Sequence, residues 1–176
     1  MVELSPAENG LLKQAFAGDS LNTAIYIARM GSRTIEVSFI TAVGTDHFSD
    51  RMIDFFHSEN INRQWVVRLA DKLPGLYAIE LDQYGERSFS YWRNDSAARA
   101  LFSHGLEEHQ VAELAESFDL YYLSGISLAI LDDHSRSLLK QVLIRARARG
   151  ARVAYDSNYR PRLWKSKAEA QAVTLE

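Results

Sequence analysis

The sequence contains no cysteine, which excludes a disulfide framework and any thiolate-held metal. No apolar run approaches the roughly 20 residues that a membrane-crossing helix needs. The opening Met1-Val2-Glu3-Leu4-Ser5-Pro6 lacks the basic and apolar stretches of a secretory signal. Together these absences predict a cytoplasmic protein with no membrane partner. His47, His57, His104, His109 and His134 are scattered without metal-ligand spacing. They read as surface or helix residues, and no metal site is predicted. No GxGxxG fingerprint, Walker P-loop or nucleophile elbow occurs. The net charge of −3 gives no electrostatic case for a nucleic-acid partner. There is no internal repeat and no low-complexity linker.

What is present is an ordinary globular composition, 47% hydrophobic and 24% charged over 176 residues. That is one domain with a sizeable core. Leu21, Ala24, Ile25 and Ala28 recur at helical spacing, so Asp19 to Met30 is predicted as a helix stopped by Gly31. A second amphipathic helix is read over Asp46 to Ser58, with Phe48, Met52, Phe55 and Phe56 on one face. Further helices are expected over Leu106 to Glu116 and Asp132 to Arg149, the latter with Leu138, Leu139, Val142 and Ile144 inward. Strands are expected at Lys13 to Ala17, Ile35 to Val43, Leu120 to Leu123 and Val153 to Tyr155. Three more, at Gln64 to Leu69, Gly75 to Leu81 and Arg87 to Trp92, follow one another without helices. The pattern is a parallel α/β layer sheet with a small β-rich insertion near residues 64 to 93. Met1 to Leu4 resembles the end of a strand and Ser166 to Glu176 the first turns of a helix, which predicts a piece of a longer chain.

Three polar clusters carry candidate chemistry. In Ala17-Gly18-Asp19-Ser20-Leu21-Asn22, small residues allow close backbone approach and Asp19 stands where an N-cap would stand. The first-turn N–H groups could meet hydroxyls or a carboxylate, or the segment is simply a capped helix. In Tyr91-Trp92-Arg93, strand alternation puts Tyr91 and Arg93 on one face. An arginine beside an aromatic suits a small carboxylate ligand; the alternative is a surface Arg on a tyrosine, with Trp92 in the core. Asp156-Ser157-Asn158-Tyr159-Arg160 ends a strand, where α/β sheets bind ligands. Its alternative is an Asx-turn with Arg160 paired locally. The basic run Arg145, Arg147, Arg149 and Arg152 reads as a solvated helix end.

Taken together, the clusters resemble those of the ribokinase (PfkB-type) carbohydrate kinases. Ala17-Gly18-Asp19-Ser20-Leu21-Asn22 is similar to the family's Gly-Gly-Asp-x-x-Asn, with Ala17 in place of the first Gly. Gly44-Thr45-Asp46-His47-Phe48 and Asp156-Ser157-Asn158-Tyr159-Arg160 resemble two further family segments. Leu73-Pro74-Gly75-Leu76-Tyr77, Gly85-Glu86-Arg87, Tyr91-Trp92-Arg93-Asn94, Leu123 to Ala129 and Asn158 to Trp164 resemble the family's sugar-acid kinases.

The resemblance implies a ribokinase-like fold, a Rossmann-like three-layer α/β/α sheet with a small β-sheet lid, here truncated. Lid segments are expected near 11–17 and 64–93 of a single domain spanning 1–176. Gly18, Asp19 and Asn22 would contact the sugar chain, and Tyr77, Tyr91, Arg93 and Arg160 the keto-acid end. Asn158 and Arg160 are further expected near the cofactor. The intact family uses ATP and Mg²⁺, and neither is expected to bind well here. No Gly-Ala-Gly-Asp segment, which supplies the family's catalytic base, occurs in these residues. The implied partners are a small-molecule sugar acid and, through the lid, a second copy of the chain.

Overall fold

The computed structural model describes residues 1–31 and 34–176. The chain forms two compact units, Met1–Ala98 and Arg99–Glu176. The first unit runs β1 (Val2–Pro6), β2 (Leu12–Phe16), α1 (Asp19–Met30), β3 (Val37–Ser38), β4 (Thr41–Val43), α2 (His47–Ser58), β5 (Ile61–Asn62), β6 (Val66–Arg68), β7 (Leu76–Leu81) and β8 (Arg87–Trp92). The helical stripe on α1 buries Leu21, Ala24 and Ile25, and Ala28 packs beside them. On α2, Met52 and Phe56 are buried, whereas Phe48 remains 41% exposed.

Expected strands and observed strands differ where partners are distant in sequence. Residues 35–43 read as one strand but form two. Val37–Ser38 pairs with β5 and Thr41–Val43 with β6, both in parallel. Likewise, the expected strand at 64–69 does not join the β insertion; Val66–Arg68 belongs with β4. The insertion proper is a four-stranded sheet in the order β2-β1-β7-β8. It includes residues 2–6, which the sequence reading left outside the expected lid segments. Asp82 closes the β7–β8 turn by accepting from the Tyr84 and Glu86 N–H groups at 2.8 and 2.9 Å. One face of this sheet presents Val2, Leu4, Phe16 and Leu76 to Leu21, Ile25, Val43, Met52, Phe56 and Ile61, forming the core.

Asp46 fixes the start of α2. Its carboxylate accepts from Phe48 N at 2.9 Å and Ser49 N at 3.2 Å. It also accepts from Ser49 Oγ at 2.6 Å, and that buried hydroxyl accepts from Gly44 N at 2.8 Å. Burial opposes the charge, but the bonds from Ser49 and Phe48 outweigh it and hold the carboxyl below its ordinary value. A carboxyl depressed by folding stabilises above its unfolded pKa, about 3.9, and that contribution is lost as pH falls through the folded value. Asp46→Ala is therefore expected to cost about 1 kcal/mol at neutral pH. The gap to wild type should narrow below about pH 4, as read by urea unfolding at both pH values. A gap that does not depend on pH would contradict the capping role.

The second unit holds a single π-helical turn (Leu101–Gly105), α3 (Glu108–Glu116), β9 (Leu120–Ser124), α4 (Gly125–Ile130), α5 (Asp133–Ala148), β10 (Arg152–Asp156) and α6 (Lys167–Leu175). β9 and β10 pair in parallel. α5 buries Ser135, Val142 and Ala146, while Ile144, expected inward, is 58% exposed. Residue 144 lies two positions from both 142 and 146, which turns it to the opposite side of a 3.6-residue helix. Among the described residues no helix is long and apolar enough to cross a membrane.

Candidate functional site

The four-stranded sheet aligns one end of each strand. Met1 and Ala17 exchange backbone hydrogen bonds of 2.8 and 3.0 Å, extending the β1–β2 ladder by one pair. Val2 opposite Leu76, and Leu76 opposite Trp92, put Met1 beside Gly75 and Gly75 beside Arg93. A row Ala17–Met1–Gly75–Arg93 therefore crosses all four strands. At about 4.8 Å per strand, the row is about 14 Å long. At one end of it the chain turns into α1, and at the other stands a guanidinium.

Alternation carries that row and the next onto the same face. Two residues further along lie Ala15, Glu3, Tyr77 and Tyr91, directly opposite one another in register. Tyr77 and Tyr91 have ring centroids 5.9 Å apart, and Phe89 stacks on Tyr91 at 6.2 Å with rings 17° apart. The Arg93 guanidinium lies 4.0 Å from the Tyr91 ring centroid. This cation–π contact restricts the guanidinium. A planar guanidinium is the side chain suited to take a carboxylate through two charge-assisted bonds. Gly75 leaves the floor beside Arg93 bare; a Cβ there would come within 3.1 Å of the Arg93 Cβ. Trp92 points to the other face and is 62% exposed, so the reading that buries it in the core does not hold in this chain. It lies at the last residue of an edge strand, beyond the cluster that Leu76 enters.

The Tyr77 hydroxyl donates to the Glu3 carboxylate. Burial, then this bond, push the phenol well above its ordinary pKa. The sequence reading does not single out Glu3. Its partner is 74 positions away, across a parallel pairing that no local pattern announces.

At the other end of the row, Gly18 is the N-cap of α1, and Asp19, expected there, is the first helical residue. Gly18 has φ 151° and ψ 152°, a region essentially reserved for glycine. That geometry swings the chain from β2 into the helix, so the N-cap position must be given to a residue with no capping side chain. Asp19 then occupies the first turn, where the macrodipole favours a negative charge. Asn22, on the exposed surface one turn on, donates its N–H to Gly18 O at 2.8 Å. Because there is open space around the Gly18 position, substitution there tests backbone strain alone. Gly18→Ala is expected to lose about 1–3 kcal/mol of stability in urea unfolding. An unchanged midpoint would mean that the strand-to-helix turn relaxes at no cost.

Asn158 and Arg160 belong to the second unit. Asp156 Oδ1 accepts from Asn158 N at 3.1 Å, an Asx-turn that closes β10. Asn158 has φ 27°, a region that asparagine tolerates better than most residues. Arg160 is exposed and caps the short helical turn Pro161–Leu163. Thus Gly18, Asp19, Asn22, Tyr77, Tyr91 and Arg93 gather along one sheet end of the first unit. Among the described residues no group of three or more His, Asp or Glu side chains could hold a metal ion.

A family model described as pfkB family carbohydrate kinase matches residues 3–175. The chain is 49% identical to the 2-dehydro-3-deoxygluconokinase of Escherichia coli K12, over 98% of this chain and 56% of that protein. It is 42% identical to the Haemophilus influenzae enzyme of the same name, over 100% of this chain and 56% of that one. The crystal structure of 2-dehydro-3-deoxygluconokinase from Thermotoga maritima matches with a TM-score of 0.84 at 22% identity. That match covers 99% of this chain and 53% of the other, and it shows a shared ribokinase-like α/β fold. The chain spans about half the length of the curated relatives it matches. With the family model matching almost every residue and both units folded as in a kinase of known structure, the chain belongs to the pfkB family of carbohydrate kinases.

Proposed function

We propose that this chain is the sugar-acid-binding part of a cytoplasmic kinase that transfers the γ-phosphoryl group of ATP to the terminal hydroxyl of 2-keto-3-deoxygluconate. The observation that carries the reading is Arg93, held 4.0 Å over Tyr91 on a sheet face that starts beside α1. A carboxylate at Arg93 and hydroxyls at Gly18, Asp19 and Asn22 account for the two ends of a linear sugar acid. Tyr77 and Tyr91 line the stretch between. For Asn158 and Arg160 the support is the resemblance of their segment to the family's Asp-x-Asn-x-Arg, and Arg160→Ala is their test in the titration below. The relatives' name, 2-dehydro-3-deoxygluconokinase, agrees with this substrate.

The β2-β1-β7-β8 sheet acts as the lid, closing over the sugar and excluding water. Its edge strand β8 exposes Phe89, Tyr91 and Trp92. An edge of this kind favours pairing with a second copy, which sedimentation velocity reads directly. When bound, ATP and Mg²⁺ would supply the phosphoryl group and the charge neutralisation that such a transfer uses. This chain's residues bind and orient the acceptor. Because the sequence holds no Gly-Ala-Gly-Asp segment, the isolated chain is expected to bind without turning over.

The test is calorimetric titration with 2-keto-3-deoxygluconate, with gluconate and fructose as controls. Saturable binding selective for the keto acid supports the reading. Preference for fructose would instead favour a neutral-sugar kinase such as a fructokinase. Absence of binding by a chain that unfolds cooperatively would remove the reading for this chain.

A further inference from the structure

We propose that Glu3 is a positioning residue that commits the Tyr77 hydroxyl proton to its own carboxylate, so that Tyr77 meets a ligand as a hydrogen-bond acceptor and selects a substrate hydroxyl. The inference rests on the sugar-acid reading above and deepens it.

A phenol has one proton to give and lone pairs to receive with. An ionised carboxylate only accepts. In the structure the Tyr77 hydroxyl donates to Glu3 Oε2, and the two residues lie opposite each other in the parallel β1–β7 register. The strands therefore hold the pair together, and no long-side-chain search is needed to form it. Packing against Tyr91 and Phe89 fixes the ring on its other flank. With its proton spent on Glu3, the phenol oxygen has no second donor to offer a ligand carboxylate or keto oxygen. It offers lone pairs, which a sugar O–H satisfies. A carboxylate brought close to Tyr77 would also meet the negative charge of Glu3. The same face thus sorts the two ends of a sugar acid. The carboxylate goes to Arg93, at the row beside Gly75, and a hydroxyl to Tyr77, one row further along β7 and beside β1. This moves Tyr77 from the keto-acid end, where the family resemblance puts it, to the hydroxyl-bearing part of the ligand.

The experiment is a double-mutant cycle on the whole chain, with Glu3→Leu, Tyr77→Phe and the pair together. Affinity for 2-keto-3-deoxygluconate is read by calorimetry, and phenol ionisation by ultraviolet titration. Glu3→Leu is expected to weaken binding roughly five- to tenfold, the worth of about one misdirected hydrogen bond. It should weaken binding no further in the Tyr77→Phe background. One phenol that resists ionisation in wild type should titrate earlier in Glu3→Leu, a signature that a merely structural role for Glu3 would not give. Unchanged affinity in Glu3→Leu, or the same loss with and without the Tyr77 hydroxyl, overturns the inference while leaving the sugar-acid reading in place. A wild-type chain that binds no sugar acid overturns the reading and the inference together.

Discussion

Arg93→Ala is expected to weaken binding of 2-keto-3-deoxygluconate roughly ten- to a hundredfold, while leaving the chain folded. The argument begins with the type of bond. A charge-assisted bond to a carboxylate is worth about 1.5–3 kcal/mol, and a two-pronged contact adds geometry to energy. Arg93 lies over Tyr91 at 4.0 Å and is only partly exposed, so its guanidinium is restricted before the ligand arrives. Less conformational entropy is then lost on binding than for a loose surface arginine. Stability should change by less than about 1 kcal/mol, since the residue is partly exposed just past the end of the edge strand β8. Arg93→Lys keeps the charge and should recover only part of the affinity, because an ammonium lacks the planar fork. The check is calorimetric titration of the three proteins together with their urea unfolding curves. Equal affinity in wild type and Arg93→Ala would take the carboxylate away from this face.

Phe56→Ala is expected to cost about 3–5 kcal/mol of stability. Phe56 is fully buried. Its ring meets Phe39 edge-on at 5.4 Å with planes 69° apart, an arrangement that adds to simple area burial. It sits among Leu21, Ile25, Val43, Met52 and Ile61, the cluster on which Val2, Leu4, Phe16 and Leu76 of the four-stranded sheet also rest. Removing the ring leaves a cavity beneath the sheet that carries Tyr77, Tyr91 and Arg93, so sugar-acid binding should weaken along with stability. Phe56→Leu, which fills most of the space, should cost markedly less. Urea unfolding measures both. A loss under about 1 kcal/mol for Phe56→Ala would mean that this cluster is not the core of the unit.

The helices were legible because their signals are local. Leu21, Ala24, Ile25 and Ala28 announce α1 by spacing alone, and Phe48, Met52, Phe55 and Phe56 announce α2 by one apolar face. Alternation placed Tyr91 and Arg93 on one face, and the structure has them there, 4.0 Å apart. Short α4 was not legible: six residues opening on Gly125 carry no apolar period long enough to count. Whether Trp92 lay in the core, one of two alternatives the sequence left open, was undecided for a related reason. Alternation tells which residues share a face but not which face is covered, or how far along the strand the cover extends.

What the sequence by itself determined is the α/β class, the positions of most helices and the polar clusters at Gly18–Asn22 and Tyr91–Arg93. These follow from periods of two and 3.6 residues and from caps, all written within a dozen positions. Only the tertiary structure decided which strand joins which sheet. It sent Val66–Arg68 to β4 and brought Val2–Pro6 between β2 and β7. That choice set Glu3 against Tyr77 and aligned Ala17, Met1, Gly75 and Arg93 in one row. Strand pairing is settled by burial of one face against a common core, a sum over residues far apart in the chain, and no local window of sequence contains that sum.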